Sequence, residues 1–132
     1  MSDLFSLEIV NPEKSFINKK DIKEVVIPGY EGEMGILSGH ISLITFLKPG
    51  IIKVISNSNE DHYYIEDGIA EFKENNLSIL TSFILSVKDL NKNFVDNSIK
   101  NAEQELSKSD LLDEKKFIIN QKIDLLKSLN IN

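Results

Sequence analysis

Along the first 87 residues, apolar and polar positions alternate in short runs with a period of two. Phe5, Leu7 and Ile9 alternate with Ser6 and Glu8, as expected for a strand that buries one face. Comparable runs recur about every eight to twelve residues between turn residues, a spacing typical of a β-sandwich or barrel. The predicted strands cover residues 4–10, 15–18, 22–27, 41–47, 51–55, 63–65, 68–72, 77–80 and 83–87.

After residue 88 the apolar period becomes that of a helix. The first predicted helix carries one apolar stripe, formed by Val95, Ile99, Ala102 and Leu106. The second carries another, formed by Leu112, Ile119, Ile123 and Leu126. Asp89 is the predicted N-cap of the first helix, and Ser109 or Asp110 that of the second. Because only about four residues join the two helices, we expect them to pack as an antiparallel hairpin.

These two periods predict two domains of different class: a β-sandwich over residues 1–87 and a two-helix hairpin over residues 88–132. Net charge divides at the same boundary. Residues 1–87 hold seven lysines and 13 acidic residues, whereas residues 88–132 hold eight of each. Two narrow apolar stripes bury little surface by themselves, so we expect the hairpin to lean on the β domain or on another protein.

Composition excludes several classes of function. The apolar fraction of 41% and the charged fraction of 27% are typical of a soluble globular protein. A net charge of −6 disfavours nucleic acid as a partner. The chain has no cysteine, and therefore no disulfide or thiolate metal site. Its start shows no secretory signal, and its apolar runs fall short of the ~18–20 residues of a membrane span, so a membrane is reached only through a partner.

Four of the six glycines lie within eleven residues, in a segment that runs from Pro28 to His40. A phosphate-binding loop would need a Gly-Lys-Ser/Thr ending and a following helix, and this segment has neither. The carboxylates of Glu31 and Glu33 would also repel a phosphate. We therefore interpret the segment as an irregular loop that needs positive φ or close backbone approach, and as a surface suited to protein contact.

Two groups of polar residues could carry chemistry, and we prefer a structural interpretation for both. Glu31, Glu33 and His40 could form an acid–base group, but no pocket or activated nucleophile is evident around them. Residues 60–67 gather four carboxylates and one histidine, without the spacing of a calcium loop. A solvated hairpin tip explains that cluster better. No catalytic, cofactor-binding or metal-binding residues are predicted.

The chain resembles the epsilon subunit family of bacterial F-type ATP synthases, which is called delta in mitochondria. The resemblance extends over about 80 residues in order, spacing and residue type. Its strongest parts are Val25-Val26-Ile27-Pro28-Gly29, Glu31-Gly32-Glu33-Met34-Gly35-Ile36-Leu37, Gly39-His40 and Leu47-Lys48-Pro49-Gly50. It continues through Gly68-Ile69-Ala70-Glu71-Phe72, Asn76-Leu77-Ser78-Ile79-Leu80 and Asp89-Leu90.

The resemblance implies a β-sandwich of about ten strands, a C-terminal helical hairpin and no catalytic role of its own. It implies a place in the rotating central stalk, bound to the gamma subunit and the c-ring, at the cytoplasmic face of the bacterial inner membrane. The residues that match the family's c-ring-facing loop are Glu31, Gly32, Glu33, Met34, Gly35, Gly39 and His40.

In this family the hairpin can restrain ATP hydrolysis, and in some members it binds ATP through arginines. This chain has no arginine, which argues against ATP sensing. The candidate regulatory residues are Asp89, which matches the start of the family's ATP-binding motif, and the helix-borne lysines Lys115, Lys116, Lys122 and Lys127. Through these lysines the hairpin could meet acidic loops of a partner, such as the alpha and beta subunits. The alternative for the lysines is a solvated helix face without a partner role. The alternative for the whole chain is a small nucleotide sensor or an interaction module.

The family's Pro-Gly-His-Ala-Pro stretch is replaced here by residues 38–42, Ser-Gly-His-Ile-Ser. Proline fixes φ, so the loss of both prolines removes a source of rigidity from this part of the loop. The sequence does not indicate what replaces it.

Overall fold

In the computed structural model of the protein, the structure describes residues 4–13, 15–108 and 110–129. The chain divides into two compact units, with the boundary between Ser86 and Val87. The described part of the first unit contains nine strands, and that of the second contains a short 3₁₀ turn and two α-helices.

The strands are β1 (Phe5–Val10), β2 (Ser15–Gly29), β3 (Gly32–Leu37), β4 (Leu43–Leu47), β5 (Gly50–Ser56), β6 (Glu60–Ile65), β7 (Gly68–Lys73), β8 (Asn76–Leu80) and β9 (Ile84–Ser86). The 3₁₀ turn is Val87–Asp89, and the helices are α1 (Lys92–Leu106) and α2 (Asp113–Ser128).

The long strand β2 joins the two layers of a β-sandwich. Its first half pairs with β1 in the order β2-β1-β8-β7-β4, and its second half pairs in the order β3-β2-β5-β6-β9. β1 and β8 run parallel, and the other strand pairs are antiparallel. Because β2 belongs to both layers, continuous strand pairing joins the two layers of the sandwich.

The inward faces of both layers form one hydrophobic core. Leu7, Val25, Ile52 and Phe72 are among its side chains, and each has almost no exposed surface. Phe5 packs edge-on against Phe72, with ring centroids 5.6 Å apart. Burial of each large apolar side chain contributes roughly 1.5–3 kcal/mol, so this core accounts for the stability of the sandwich.

The prediction of a β-sandwich followed by two helices is confirmed, with three differences in the strands. The described residues form nine strands, against the number of about ten that the resemblance implied. The two predicted strands 15–18 and 22–27 are one strand, because Lys19, between them, continues the pairing with β1 although it is polar. The glycine-rich segment contains β3, where a loop was expected: the pairs Val25↔Ile36 and Ile27↔Met34 extend β2 into a hairpin.

The two predicted helices are present, but their starts differ from expectation. α1 is capped by Asn91, whose Oδ1 accepts a hydrogen bond of 2.8 Å from the backbone N–H of Phe94, and Asp89 lies in the preceding 3₁₀ turn. α2 begins after Leu112 without a side-chain cap. Asp110 is therefore not the cap, and the alternative, Ser109, lies outside the described residues.

α1 and α2 pack against each other through a small apolar cluster centred on Ala102, Ile119 and Ile123. Leu112, which the periodicity placed on the buried stripe of α2, is instead 74% exposed. It precedes the first helical turn and therefore does not follow the helical period. Among the described residues, no helix is long and apolar enough to cross a membrane.

Candidate partner-binding surfaces

The residues predicted to face a partner lie along one edge of the sandwich, from Glu31 to His40; we call this segment the β3 edge. In the described residues, β3 pairs only with β2, so its other side is open. Its side chains alternate: Met34 and Ile36 turn inward, whereas Glu33 and Leu37 are exposed. The β3 edge therefore presents acidic and apolar side chains on a firm backbone.

Glycine serves two different purposes along this edge. Gly32 and Gly39 adopt positive φ angles of 131° and 83°, and a Cβ at either position would meet open space. At both positions the positive φ angle favours glycine, whereas a side chain would have enough space. Gly32 begins β3, and Gly39 lies two residues after its end. At Gly35, in contrast, a Cβ would lie 2.9 Å from a carboxylate oxygen of Glu24.

The structure does not gather Glu31, Glu33 and His40 into one catalytic group. The six residues of β3 separate the turn that carries Glu31 from the connection that carries His40, a rise of about 20 Å at ~3.3 Å per residue. An extended contact surface fits this spacing, and an acid–base centre that would need Glu31 and His40 together does not.

His40 is held by contacts with its own connection and with β7. Its Nδ1 lies 2.8 Å from the carbonyl oxygen of Ile41, and its ring packs edge-on against Phe72 at 5.9 Å. Because a carbonyl oxygen only accepts, Nδ1 carries the proton in this arrangement. The backbone N–H of His40 also donates to the carbonyl oxygen of Leu37 at 3.0 Å.

A second surface, which the sequence analysis missed, covers the outer side of strands β4, β7 and β8. Phe46, Ile69 and Leu80 lie side by side across these strands, and they are 61%, 40% and 53% exposed. Tyr30 and Ile44 extend this exposed row. We call these five residues the apolar face.

A groove of about 380 Å³ crosses the apolar face between Tyr30, Phe46, Ile69 and Leu80. The signal for this face was present in β4, where residues 43–47 are apolar in four of five positions instead of alternating. A continuous apolar run indicates a strand covered on both sides. Among the described residues of this unit, only the inward side of β4 is covered, and Ile44 and Phe46 on its outer side are exposed.

The described surfaces can be compared with known proteins. The family model for the beta-sandwich domain of the ATP synthase delta/epsilon chain matches residues 4–86. The chain belongs to this family. It is 58% identical to an ATP synthase epsilon chain of Pelagibacter ubique over 130 residues, covering 98% of this chain and 100% of that relative. It is 31% identical to the epsilon chain of Parvibaculum lavamentivorans over 130 residues, which cover 98% and 97% of the two chains.

Two solved assemblies share the fold. A chain in the Euglena gracilis mitochondrial ATP synthase, a structure of OSCP, F1 and the c-ring, superposes with a TM-score of 0.81 at 20% identity over 97% of this chain and 82% of that chain. A chain in the Tetrahymena thermophila mitochondrial ATP synthase central stalk and c-ring superposes with a TM-score of 0.64 at 11% identity over 92% of both. As a family member, the chain is a component of an ATP synthase, an enzyme complex.

In this chain, the lysines that the sequence analysis singled out on α2 do not form a separate cationic face. Nζ of Lys115 lies 3.9 Å from Glu105, and that of Lys127 lies 3.8 Å from Glu103, so both are paired across α1 and α2. Lys116 and Lys122 are half-buried. Exposed pairs of this kind contribute little stability, about 0–1 kcal/mol each.

The acidic cluster of residues 60–67 is occupied by contacts within the protein. Glu60 lies 2.6 Å from Nε2 of His62, and Asp61 lies 3.4 Å from Nζ of Lys19. Asp67 accepts from the hydroxyl and the backbone N–H of residue 82, which closes the turn after β8. Among the described residues, no three potential ligand side chains are arranged to hold a metal ion.

Proposed function

We propose that this chain is a non-catalytic rotor subunit in the central stalk of an F-type ATP synthase, where it joins the gamma subunit to the c-ring. The observation that carries the proposal is the apolar face, a row of large side chains exposed on a firm sheet. Membership of the epsilon-chain family supports the subunit class, and the Tetrahymena relative by fold comes from a central stalk and c-ring assembly.

The apolar face is the proposed docking surface for the gamma subunit. A permanent interface resembles a protein core cut in half, with aromatic and aliphatic anchors at its centre. Phe46 and Tyr30 supply aromatic anchors, and the groove between them and Ile69 gives a partner side chain a place to insert. Coupled rotation needs a lasting contact, and this face is the more apolar of the two surfaces.

The β3 edge is the proposed contact with the c-ring. It exposes Glu31 and Glu33, together with Leu37, and its backbone is held by pairing with β2. Acidic side chains at such an edge would meet a polar loop, ideally one that carries a basic residue. Charges of this kind contribute register and specificity more than affinity.

In this proposal the chain transmits torque, and the chemistry of ATP takes place on other subunits. Support comes from the separation of Glu31 and His40 along β3 and from the internal pairing of the carboxylates in residues 60–67. The complex would hold the chain at the cytoplasmic face of the bacterial inner membrane, as a peripheral subunit that reaches the bilayer through its partners.

The helical unit is proposed to restrain ATP hydrolysis by contact with the alpha and beta subunits. Leu112 and Phe117 are 74% and 53% exposed on this unit, which leaves apolar surface for a partner. Lys115 and Lys127 pair weakly with α1, so these side chains could exchange those carboxylates for acidic loops of another subunit.

Co-purification tests the gamma contact. A tagged chain should retain the gamma subunit under mild detergent, and Phe46→Asp should abolish that retention because a carboxylate would be buried at the centre of the interface. Phe117→Asp is the matched control, since Phe117 is a similarly exposed aromatic residue in the other unit. Equal recovery of gamma with both variants would contradict the proposed docking face.

Cysteine cross-linking tests the c-ring contact, and because this chain has no cysteine, each introduced thiol is unique within it. A short photoactivatable reagent on Glu33→Cys should capture subunit c in the assembled complex. Asp21→Cys provides the control, because Asp21 is exposed and lies outside the β3 edge. Capture of subunit c from both positions, or from neither, would refute the assignment of this edge.

A further inference from the structure

Asn75 occupies the tight turn between β7 and β8, where a left-handed backbone is required. Glu74 and Asn75 have φ angles of 50° and 60°, and Lys73 pairs directly with Asn76. This is the geometry of a two-residue hairpin turn with positive φ at both central positions, which favours Asn or Gly. The backbone alone would therefore be served equally well by glycine.

The side chain of Asn75 is used by two segments that lie far away in sequence. Its Oδ1 accepts from the backbone N–H of Gly39 at 2.9 Å and from the hydroxyl of Ser38 at 3.3 Å. Its Nδ2 donates to the carbonyl oxygen of Leu4 at 3.2 Å and to the hydroxyl oxygen of Ser38 at 3.0 Å. An N–H can only donate and a carbonyl oxygen can only accept, so these contacts determine the orientation of the amide.

These hydrogen bonds hold residues 38 and 39 in the connection between β3 and β4, where this chain lacks the two prolines of the family stretch. Ser38 stands where the family stretch begins with proline, and its hydroxyl is within hydrogen-bond distance of both polar atoms of the Asn75 amide. The next residue, Gly39, is held by the shortest of the four bonds. Hydrogen bonds from the turn of Asn75 thus restrain this connection, as a proline ring would by fixing φ.

His40 follows Gly39 immediately in the chain and also contacts this part of the sandwich. Its ring rests on Phe72, in the strand that ends one residue before the turn of Asn75. The turn and β7 therefore hold the connection from two sides, at Gly39 through a hydrogen bond and at His40 through the ring contact.

We propose that Asn75 is a positioning residue that fixes the connection between β3 and β4, and with it His40, for contact with the c-ring. The partner in this inference rests on the proposed function. Asn75 acts through Gly39 and His40, and no contact of its own with the c-ring is required.

The variant Asn75→Gly tests the anchor in the full-length chain, because glycine keeps the left-handed turn and removes only the amide. Hydrogen exchange measured by NMR should show about tenfold faster exchange of the Gly39 N–H, the effect expected for loss of one hydrogen bond. The matched control is Glu74→Gly, which makes the same substitution at the adjacent positive-φ position and should leave the exchange unchanged. Unchanged exchange in Asn75→Gly would overturn the inference.

Cross-linking in the assembled complex tests the consequence for the partner. In the Asn75→Gly background, capture of subunit c from His40→Cys should fall several-fold, while capture from Glu33→Cys and recovery of the gamma subunit persist. Addition of Ser38→Pro should restore capture from His40→Cys, since Leu37 is extended and compatible with a following proline.

Two results would refute the positioning role, and they differ from failure of the proposed function. Faster exchange of Gly39 with unchanged capture from His40→Cys would leave Asn75 as a local anchor without a role in partner contact. No capture of subunit c from either cysteine in an otherwise unchanged chain would overturn the c-ring contact itself, whatever the exchange experiment shows.

Discussion

At the scale of single residues, close backbone approach determines several positions that composition alone does not explain. A Cβ at Gly50 would lie 2.4 Å from Cβ of Pro28, so the start of β5 packs directly on the end of β2 and leaves no room for a side chain at position 50. Asn75 is the polar counterpart, because one amide ties three segments together. Both residues act through contacts with distant parts of the chain.

Tyr64 gives a prediction at this scale. It is fully buried, and its hydroxyl donates to Glu66 at 2.8 Å. Burial, then the charge of Glu66 and this hydrogen bond, raise the pKa of Tyr64 well above its ordinary 10.0. The unfolded chain therefore loses this proton first, and the free energy of unfolding should fall as the pH rises above about 10.

Urea unfolding of Tyr64→Phe at pH 8 and pH 11 measures this effect. At pH 8 the variant should be about 1 kcal/mol less stable because it lacks the hydrogen bond to Glu66. At pH 11 the difference in the free energy of unfolding between the two proteins should be smaller. Phenylalanine cannot ionise, so the variant does not lose the stability that the original protein loses at high pH. Tyr30→Phe removes the same hydroxyl from an exposed position and is the matched control. A gap that stays constant for Tyr64→Phe would contradict the prediction.

At the scale of elements, the alternation of apolar residues was sufficient for strands with one covered face and failed elsewhere. The core strand β1 follows the pattern in every position. The prediction failed at β3, where glycines suggested a loop and long-range pairing with β2 made a strand. The prediction also missed the apolar face. A continuous apolar run has the same sequence pattern whether its second face packs inside the same protein or against a partner protein.

The location of the candidate site was easier to predict than its internal geometry. The resemblance to a known family singled out the residues of the β3 edge, and their contact with the c-ring stays a prediction. Their distribution along a strand, and the anchoring of Gly39 by Asn75, depend on residues 36 positions apart. Contacts at that separation follow from sheet topology, which local periodicity does not encode.

The start of α1 provides a prediction at the same scale. Asn91→Ala should destabilise the helical unit by about 1 kcal/mol, because the Phe94 N–H would lose its 2.8 Å acceptor. Asp89→Ala, at the position that the sequence favoured, should cost less than about 0.5 kcal/mol. Thermal unfolding followed by circular dichroism measures both variants. A larger effect from Asp89→Ala would mean that the helix begins earlier than the structure indicates.

At the scale of the whole molecule, the two units have different proposed roles: the sandwich docks on partners, and the helical unit restrains hydrolysis. The sandwich carries both proposed docking surfaces and has its own core, whereas the helical unit has a small apolar cluster and two exposed apolar side chains. Docking on gamma should therefore survive loss of the helices, while restraint of hydrolysis should depend on them. The acidic excess of residues 1–87 also places the net charge on the unit proposed to meet the c-ring.

A chain that ends at Ser86 separates these two roles. It should still co-purify with the gamma subunit, because the apolar face and the core beneath it remain complete. The ATP hydrolysis rate of the assembled complex should rise, since the proposed contact with the alpha and beta subunits is removed. The full-length double variant Leu112→Ser/Phe117→Ser should reproduce part of that rise if those exposed side chains make the contact. Unchanged hydrolysis in the truncated complex would assign the restraint to another subunit, whereas loss of gamma would show that docking requires the helices.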